Sequence, residues 1–402
     1  YSDFTIDDSI RTLFLGGKGV GLKLLYDRLL PGSDPLGPDN IIVFTTGVLM
    51  GTGAPNSARF SAVTKSPLTG LITASSCGGP FGMALKKDGW DGVIIRGRSK
   101  SPVLLRIDSK GVEFINADKI WGLDSQESQR EVVQIGDGSV VIGPAGENRV
   151  KYANIVSGNR YLGRGGMGAV FGSKMLKAVV ATGRGYRIQP VQKNRFKKTI
   201  RKANTYINRN RMTAHLYRKY GTSANVEQCN QAQILPVRNF LAGSHREAGK
   251  ISGQFYEENF NSSNHSCKQC PILCGHQGEF SISGSNGTTK LSIPEYESIG
   301  LLGSNLEVFE ADKIAHWNDI CGKMGMDTIS LGGTLAWAME AGEKGLYHSD
   351  LRFGRSDNIS DILYEIAYRK GNHAELGEGT RFLSEKYGGH DFAIHVKGLE
   401  MG

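Results

Sequence analysis

Between residues 183 and 190 the apolar pattern of this 402-residue chain changes its period, so the chain must fold in at least two structural regimes. Before the change, short apolar runs (Ile41–Phe44, Gly92–Ile95, Val103–Ile107 and Ala178–Val180) are separated by Gly, Pro, Asp and Asn turns, which is how β-strands read. Helices are expected from Leu22 to Leu30 and from about Ser125 to Gly136, the second with Asp124 or Ser125 as N-cap. After it, residues 191–220, 296–306, 307–324, 331–345 and 357–370 carry apolar residues at i, i+3 and i+4, the spacing of amphipathic helices. Gly183, Gly185 and Pro190 mark the break as a linker. The fold class expected is α+β: a β-rich base domain of two sheets with a few helices at 1–185, a helical domain at 186–380, and the start of a further helical domain at 381–402.

Composition narrows the function. With 39% hydrophobic and 22% charged residues the chain is globular, and no apolar stretch approaches the ~20 residues of a membrane span. The first residues lack a signal-peptide pattern, and both ends read as cut from a longer product. The net charge of +9 is concentrated: from Arg184 to Tyr220 there are twelve Lys or Arg and no acid. No nucleic-acid-binding motif accompanies this run, so it reads as a solvated helix face or at most a docking surface for an acidic partner. Glycine is over-represented, 54 of 402, which signals close backbone approach or special turns.

Cys267-x2-Cys270-x3-Cys274 is the strongest chemical signal, with three thiols in eight residues and a proline after the second. That spacing suits an iron–sulfur cluster. Zinc is an alternative, with His265 and His276 nearby, as are unreactive buried thiols. A reducing, cytoplasmic compartment is expected. Three glycine-rich stretches accompany it. Gly16–Gly21 lacks the Ser or Thr of a phosphate-binding loop and reads as a tight strand-to-helix turn after Leu13–Leu15. Gly163–Gly168 is flanked by Arg160 and Arg164 and followed by Gly172-Ser173-Lys174, so backbone N–H groups and guanidinium donors could gather on an anion, and Ser75–Gly82 is a second bare stretch downstream of Arg59. Pro294–Glu297 opens a helix, and His395 and Lys397 stand two apart on a strand-like segment.

In their order, Thr64–Gly70, Gly163–Lys174, the cysteine triplet, Pro294–Glu297, Gly325–Ser330 and His395–Gly398 make the chain resemble the tungsten-containing aldehyde:ferredoxin oxidoreductase family over essentially its whole length. The resemblance implies a tungsten or molybdenum bis-pterin cofactor with Mg2+ bridging its phosphates, a 4Fe-4S cluster, a small aldehyde oxidised to the carboxylic acid, and ferredoxin or another iron–sulfur protein as acceptor. It further implies Cys267, Cys270 and Cys274 as cluster ligands, Arg59 between cluster and pterin, and Ser76, Gly78, Arg160, Tyr161, Gly163 and Arg164 on pterin and magnesium. Glu297 and His395 match the acid–base pair, and Asp327 and Lys397 match pterin contacts. A homodimer or a complex with electron-transfer subunits is expected, with neither nucleic acid nor membrane as partner. Three departures stand out: Ser76 where the family has Asn, Gly322 where its pterin motif begins with Asp, and a fourth cluster cysteine that would lie beyond Gly402. The same cofactor acting on an aromatic acyl-CoA or a sugar phosphate, and an electron-transfer subunit with the cluster alone, are the competing readings.

Overall fold

The computed structural model describes residues 1–185, 188–281 and 287–402; residues 186 and 187, inside the expected linker, lie outside that description. The chain forms two compact units, the first comprising 1–202, 267–270 and 323–326 and the second the remainder. The α+β expectation holds: two sheets build the N-terminal region and helices dominate the rest of the chain. Among the described residues no helix is long and apolar enough to cross a membrane.

In the first unit, strands β1 (Ile42–Thr45), β2 (Phe60–Lys65), β3 (Ile72–Cys77) and β4 (Gly92–Ile95) form an antiparallel sheet in the order β3-β2-β1-β4. Strands β5 (Val103–Asp108), β6 (Gly111–Asn116), β7 (Gly138–Val141), β8 (Ile155–Ser157), β9 (Arg160–Leu162) and β10 (Leu176–Ala181) form a second sheet in the order β6-β5-β10-β7-β8-β9. The β5–β10 pair is parallel and all other pairs are antiparallel. A core of Phe44, Phe60, Phe81 and Phe171, with rings meeting mostly edge to face, fills the space between the sheets. Of the two N-cap candidates it is Asp124 that caps the helix, in a full capping box with Glu127, and the helix runs from Ser125 to Val132, short of the expected Gly136.

Two expectations for this unit need correction. Leu13 and Phe14 belong to a helix, Asp8–Phe14, and not to a strand, and the next helix, Gly17–Arg28, begins ahead of the expected Leu22, so Gly17–Gly21 form its first turns and not a turn before it. Its glycines are there for packing: a Cβ on Gly19 would lie 2.7 Å from the Phe14 carbonyl oxygen, and one on Gly21 2.4 Å from Val63 Cγ2. Lys174, after the second glycine stretch, turns inward, where its buried ammonium donates to the Asn40 and Gly97 carbonyls. Burial first, and Arg96 second, bring its pKa down to about 8.

The second unit packs the helices Tyr296–Leu302, Ala311–Met324, Thr328–Glu343, Ile359–Tyr368 and Thr380–Tyr387 around a core that includes Trp317 and Trp337. Strands β11 (Ser263–His265), β12 (Gly275–Ser281) and β13 (Thr288–Ser292) flank the cysteine segment, and β14 (His395–Val396) pairs with β15 (Leu399–Glu400).

Candidate functional site

Strands β3 and β9 are the edges of their sheets, and the structure lays them against each other. The approach is close enough that a Cβ on Gly165 would lie 2.4 Å from Thr73 Oγ1. This meeting of edges gathers most of the residues expected at a cofactor. Ser76 is the last residue but one of β3, its hydroxyl 3.0 Å from that of Ser61 on the neighbouring strand. Arg59, exposed at the head of β2, donates from Nη2 to the Ser76 carbonyl. On the other side Arg160 and Tyr161 lie on β9, and Gly163 and Arg164 come directly after it.

The turn after β9 is built for approach. Gly165 and Gly166 are both left-handed, with φ of 87° and 72°, and a Cβ on Gly166 would fall 2.0 Å from the Lys151 carbonyl oxygen. Gly163 differs from them: nothing lies within 4 Å of where its side chain would begin. It is therefore an open stretch of backbone beside two arginines.

Cys267 reaches this corner from far along the chain. A Cβ on Gly78 would lie 2.7 Å from Cys267 Sγ, so only glycine admits the thiol there. The Cys267–Cys270 segment is a turn, closed by Cys270 N–H donating to the Cys267 carbonyl at 3.1 Å, with Gln269 at φ 60°. Leu273, just before Cys274, is also left-handed at φ 60°. In each case a non-glycine residue takes an uncommon conformation immediately before a cysteine. Among the described residues no group of three or more His, Cys, Asp or Glu is placed to hold a metal ion.

Sequence reasoning overlooked Cys77. It is the last residue of β3, between Ser76 and Gly78, buried, and it feels Arg59, Cys267 and Arg160 electrostatically. Burial pushes its thiol up to about 12, against the pull of the Gly79 N–H and the two arginines. The signal available was its position inside the glycine-rich stretch.

The remaining candidates lie in the second unit. Glu297 occupies the exposed first turn of Tyr296–Leu302, where a carboxylate also complements the helix N-terminus. His395 lies on β14 and is half-buried. Burial, and then the Arg381 cation, hold its pKa below the usual imidazole range. Its Nδ1 accepts the Gly398 backbone N–H at 3.1 Å, which assigns the ring proton to Nε2. No hydrogen bond links Glu297 with His395 among the described residues.

Lys397 departs from its expected strand placement. The pairing of His395 with Glu400 and Val396 with Leu399 leaves Lys397 and Gly398, at φ 54° and 90°, as a two-residue hairpin turn. Strand alternation therefore does not align Lys397 with His395. Asp327 is buried, and its carboxylate accepts the backbone N–H groups of Ile329 and Ser330, capping Thr328–Glu343.

Family comparison accords with this arrangement. The model for the aldehyde ferredoxin oxidoreductase N-terminal domain matches residues 1–183, and that for domains 2 and 3 of the same enzymes matches residues 198–402. The chain is 37% identical over 412 residues to the tungsten-containing aldehyde ferredoxin oxidoreductase of Pyrococcus horikoshii, covering 99% of this chain and 67% of that protein. It is 38% identical over 400 residues to the enzyme of the same name from Thermococcus kodakarensis, covering 96% of this chain and 65% of that one. The chain thus spans about two thirds of the length of these curated relatives. Among solved structures, the active site complex BamBC of benzoyl coenzyme A reductase with 1,5-dienoyl-CoA superposes with a TM-score of 0.83 at 26% identity, over 99% of this chain and 63% of that chain.

Proposed function

The chain belongs to the aldehyde ferredoxin oxidoreductase family of oxidoreductases, and from that premise we propose that it carries the tungsten or molybdenum bis-pterin and iron–sulfur chemistry of an aldehyde oxidation. The observation that carries this reading is the convergence of Arg59, Gly78, Arg160 and Cys267 where β3 meets β9. A thiol, two guanidinium groups and backbone without side chains form a donor set suited to a cluster beside an anionic, phosphate-bearing pterin.

In this reading Cys267, Cys270 and Cys274 hold the 4Fe-4S cluster, and Arg59 donates toward cluster and pterin from one planar group. Ser76, Gly78, Arg160, Tyr161, Gly163 and Arg164 line the pterin and its Mg2+, and Asp327 and Lys397 complete the pterin contacts. When bound, the metal supplies Lewis acidity and accepts two electrons.

The rest is done by side chains. The reaction is RCHO + H2O → RCOOH + 2H+ + 2e−. Glu297 takes a proton from water as it adds to the carbonyl carbon, and His395 steadies the carbonyl oxygen with its Nε2–H. A neutral imidazole with a fixed tautomer suits that role, because it donates without having to lose a proton. The electrons leave through the cysteine loop to ferredoxin or a similar iron–sulfur protein.

Elemental analysis of the anaerobically purified protein, with an aldehyde and viologen assay, tests the reading. About one tungsten or molybdenum and about four irons per chain, with Glu297→Gln losing turnover at unchanged metal content, are expected. Iron without the heavier metal would leave only an electron carrier, and zinc alone would refute both. The likeness to benzoyl coenzyme A reductase favours a second reading, in which the same cofactor reduces an aromatic acyl-CoA. Turnover of a dienoyl-CoA in place of aldehydes would select it.

A further inference from the structure

The basic run between residues 184 and 220 has no part in the chemistry above, yet from Lys193 onward the structure gives it a definite form. Lys193–Arg209 is a 17-residue helix with seven Lys or Arg and no acid. Phe196, Ile200, Ala203 and Ile207 make a half-buried stripe at spacings of four, three and four, which seats the helix on the protein. Lys193, Arg195, Lys197, Lys198 and Arg209 are exposed, as is Arg211 just beyond. The outward face therefore carries one sign of charge along about 25 Å.

Its far end leads to the cysteine loop. At the helix end Asn210 Oδ1 accepts the N–H groups of Met212 and Thr213, a π-helical turn comes next at Met212–Leu216, and Tyr217–Tyr220 resumes the α-helix. Within that last turn Arg218 Nη2 donates to the Pro271 carbonyl at 2.7 Å, between Cys270 and Cys274, and the Arg218 carbonyl accepts from Asn264. Asn264 also donates to the Leu273 carbonyl at 3.0 Å. The basic run is thus hydrogen-bonded to the segment through which electrons would leave. At its far end Lys219 is influenced by Glu257 and Glu258.

We propose that the outward face of Lys193–Arg209, continued by Arg211, is the docking surface for an acidic electron-carrier protein that exchanges electrons at the cysteine loop. This rests on the functional reading above, in which that loop holds the cluster. Like-signed charge on an exposed face raises the encounter rate of an oppositely charged partner and orients it, and salt weakens the effect.

The test uses the full-length holoprotein and an acidic 2[4Fe-4S] ferredoxin as probe. Ferredoxin affinity is measured by surface plasmon resonance at low and high NaCl for wild type, for K193E/K197E/R209E/R211E, and for K100E/K110E/K119E/R130E, which changes net charge equally at exposed sites elsewhere. Expected are a salt-sensitive wild-type affinity, a loss of about tenfold or more in the first variant, and little change in the second. A Gln version of the first set, with an intermediate loss, guards against misfolding. Equal effects of the two Glu sets, or an unchanged affinity in the first, would overturn the proposal. So would tighter binding of duplex DNA or anionic lipid vesicles than of ferredoxin by wild type at the same salt, abolished in the first variant. Aldehyde oxidation with viologen is measured in parallel: its absence with ferredoxin binding intact sinks the functional reading and leaves the docking surface standing.

Discussion

Arg238 and Glu307 form an ion pair in which both residues are left-handed, at φ 49° and 57°. Asn239 and Phe240 share the conformation at 50° and 64°, so three consecutive non-glycine residues make a left-handed turn that L-amino acids adopt only under constraint. The constraint is visible. Arg238 also pairs with Glu343 at 2.8 Å, and buried Asn239 donates to Glu340 and to the Phe392 carbonyl. Glu307→Ala is expected to lose the pair and keep the strain, whereas Glu307→Gly loses the pair and relieves it. The alanine variant should therefore be less stable by about 1 kcal/mol, read from urea midpoints at equal slope. Equal midpoints would mean the left-handed conformation is not strained here.

Lys177 and Glu147 form a salt bridge with 0% and 6% of their side chains exposed. Burial outweighs the carboxylate's attraction and lowers the lysine's pKa, so the pair is held by its surroundings more than it holds them. Lys177→Met strands a buried carboxylate and should cost about 3–5 kcal/mol. Lys177→Met with Glu147→Met should cost distinctly less, measured by chemical denaturation. Equal losses for the single and double variants would refute this.

His395 links activity to pH. Its pKa is lowered in the folded protein, so as pH falls the unfolded chain takes up the proton first. Its stabilising contribution is thus present above the ordinary imidazole pKa and declines as pH falls below it toward the lowered value. The acid limb of kcat/KM should lie below that ordinary value, with activity rising with pH through it. Arg381→Met removes a cation that disfavours the imidazolium, so the acid limb should move to higher pH. A limb that stays in place or moves downward would show that Arg381 does not act on this histidine.

Gly78→Ala places a methyl group against Cys267 Sγ. The purified variant should retain its secondary structure by circular dichroism but contain less iron per chain than wild type. Full iron content would place Cys267 outside the cluster's ligand set.

The sequence disclosed elements whose signals are local. Gly92–Ile95 forms β4 with the expected bounds, and Asp124, one of the two N-cap candidates, caps its helix. It misled where a residue's reason lies far along the chain. The bare stretch Ser75–Gly82 in fact ends β3 and, from Pro80, opens the helix Pro80–Lys87, where a Cβ on Gly82 would lie 2.6 Å from the Phe60 Cβ. Strands β11–β13 escaped notice because their polar residues show no apolar alternation. At the site, the contact of Gly78 with Cys267 is invisible to spacing, and Lys397 looked like a strand residue because its hairpin turn uses Lys-Gly, not the commoner Asn-Gly.

The short segment Lys323–Met326 packs with the first unit, where Asn154 donates to the Gly325 carbonyl through its backbone and to the Met326 carbonyl through its side chain. These partners stand 172 residues apart, so a nascent first unit emerges from the ribosome with its last bonds unmade. At 5–20 residues per second the wait is roughly 10–30 s, during which Asn154, just ahead of β8, lacks these two partners. Any cofactor that needs the finished unit must therefore be delivered late in translation or after release.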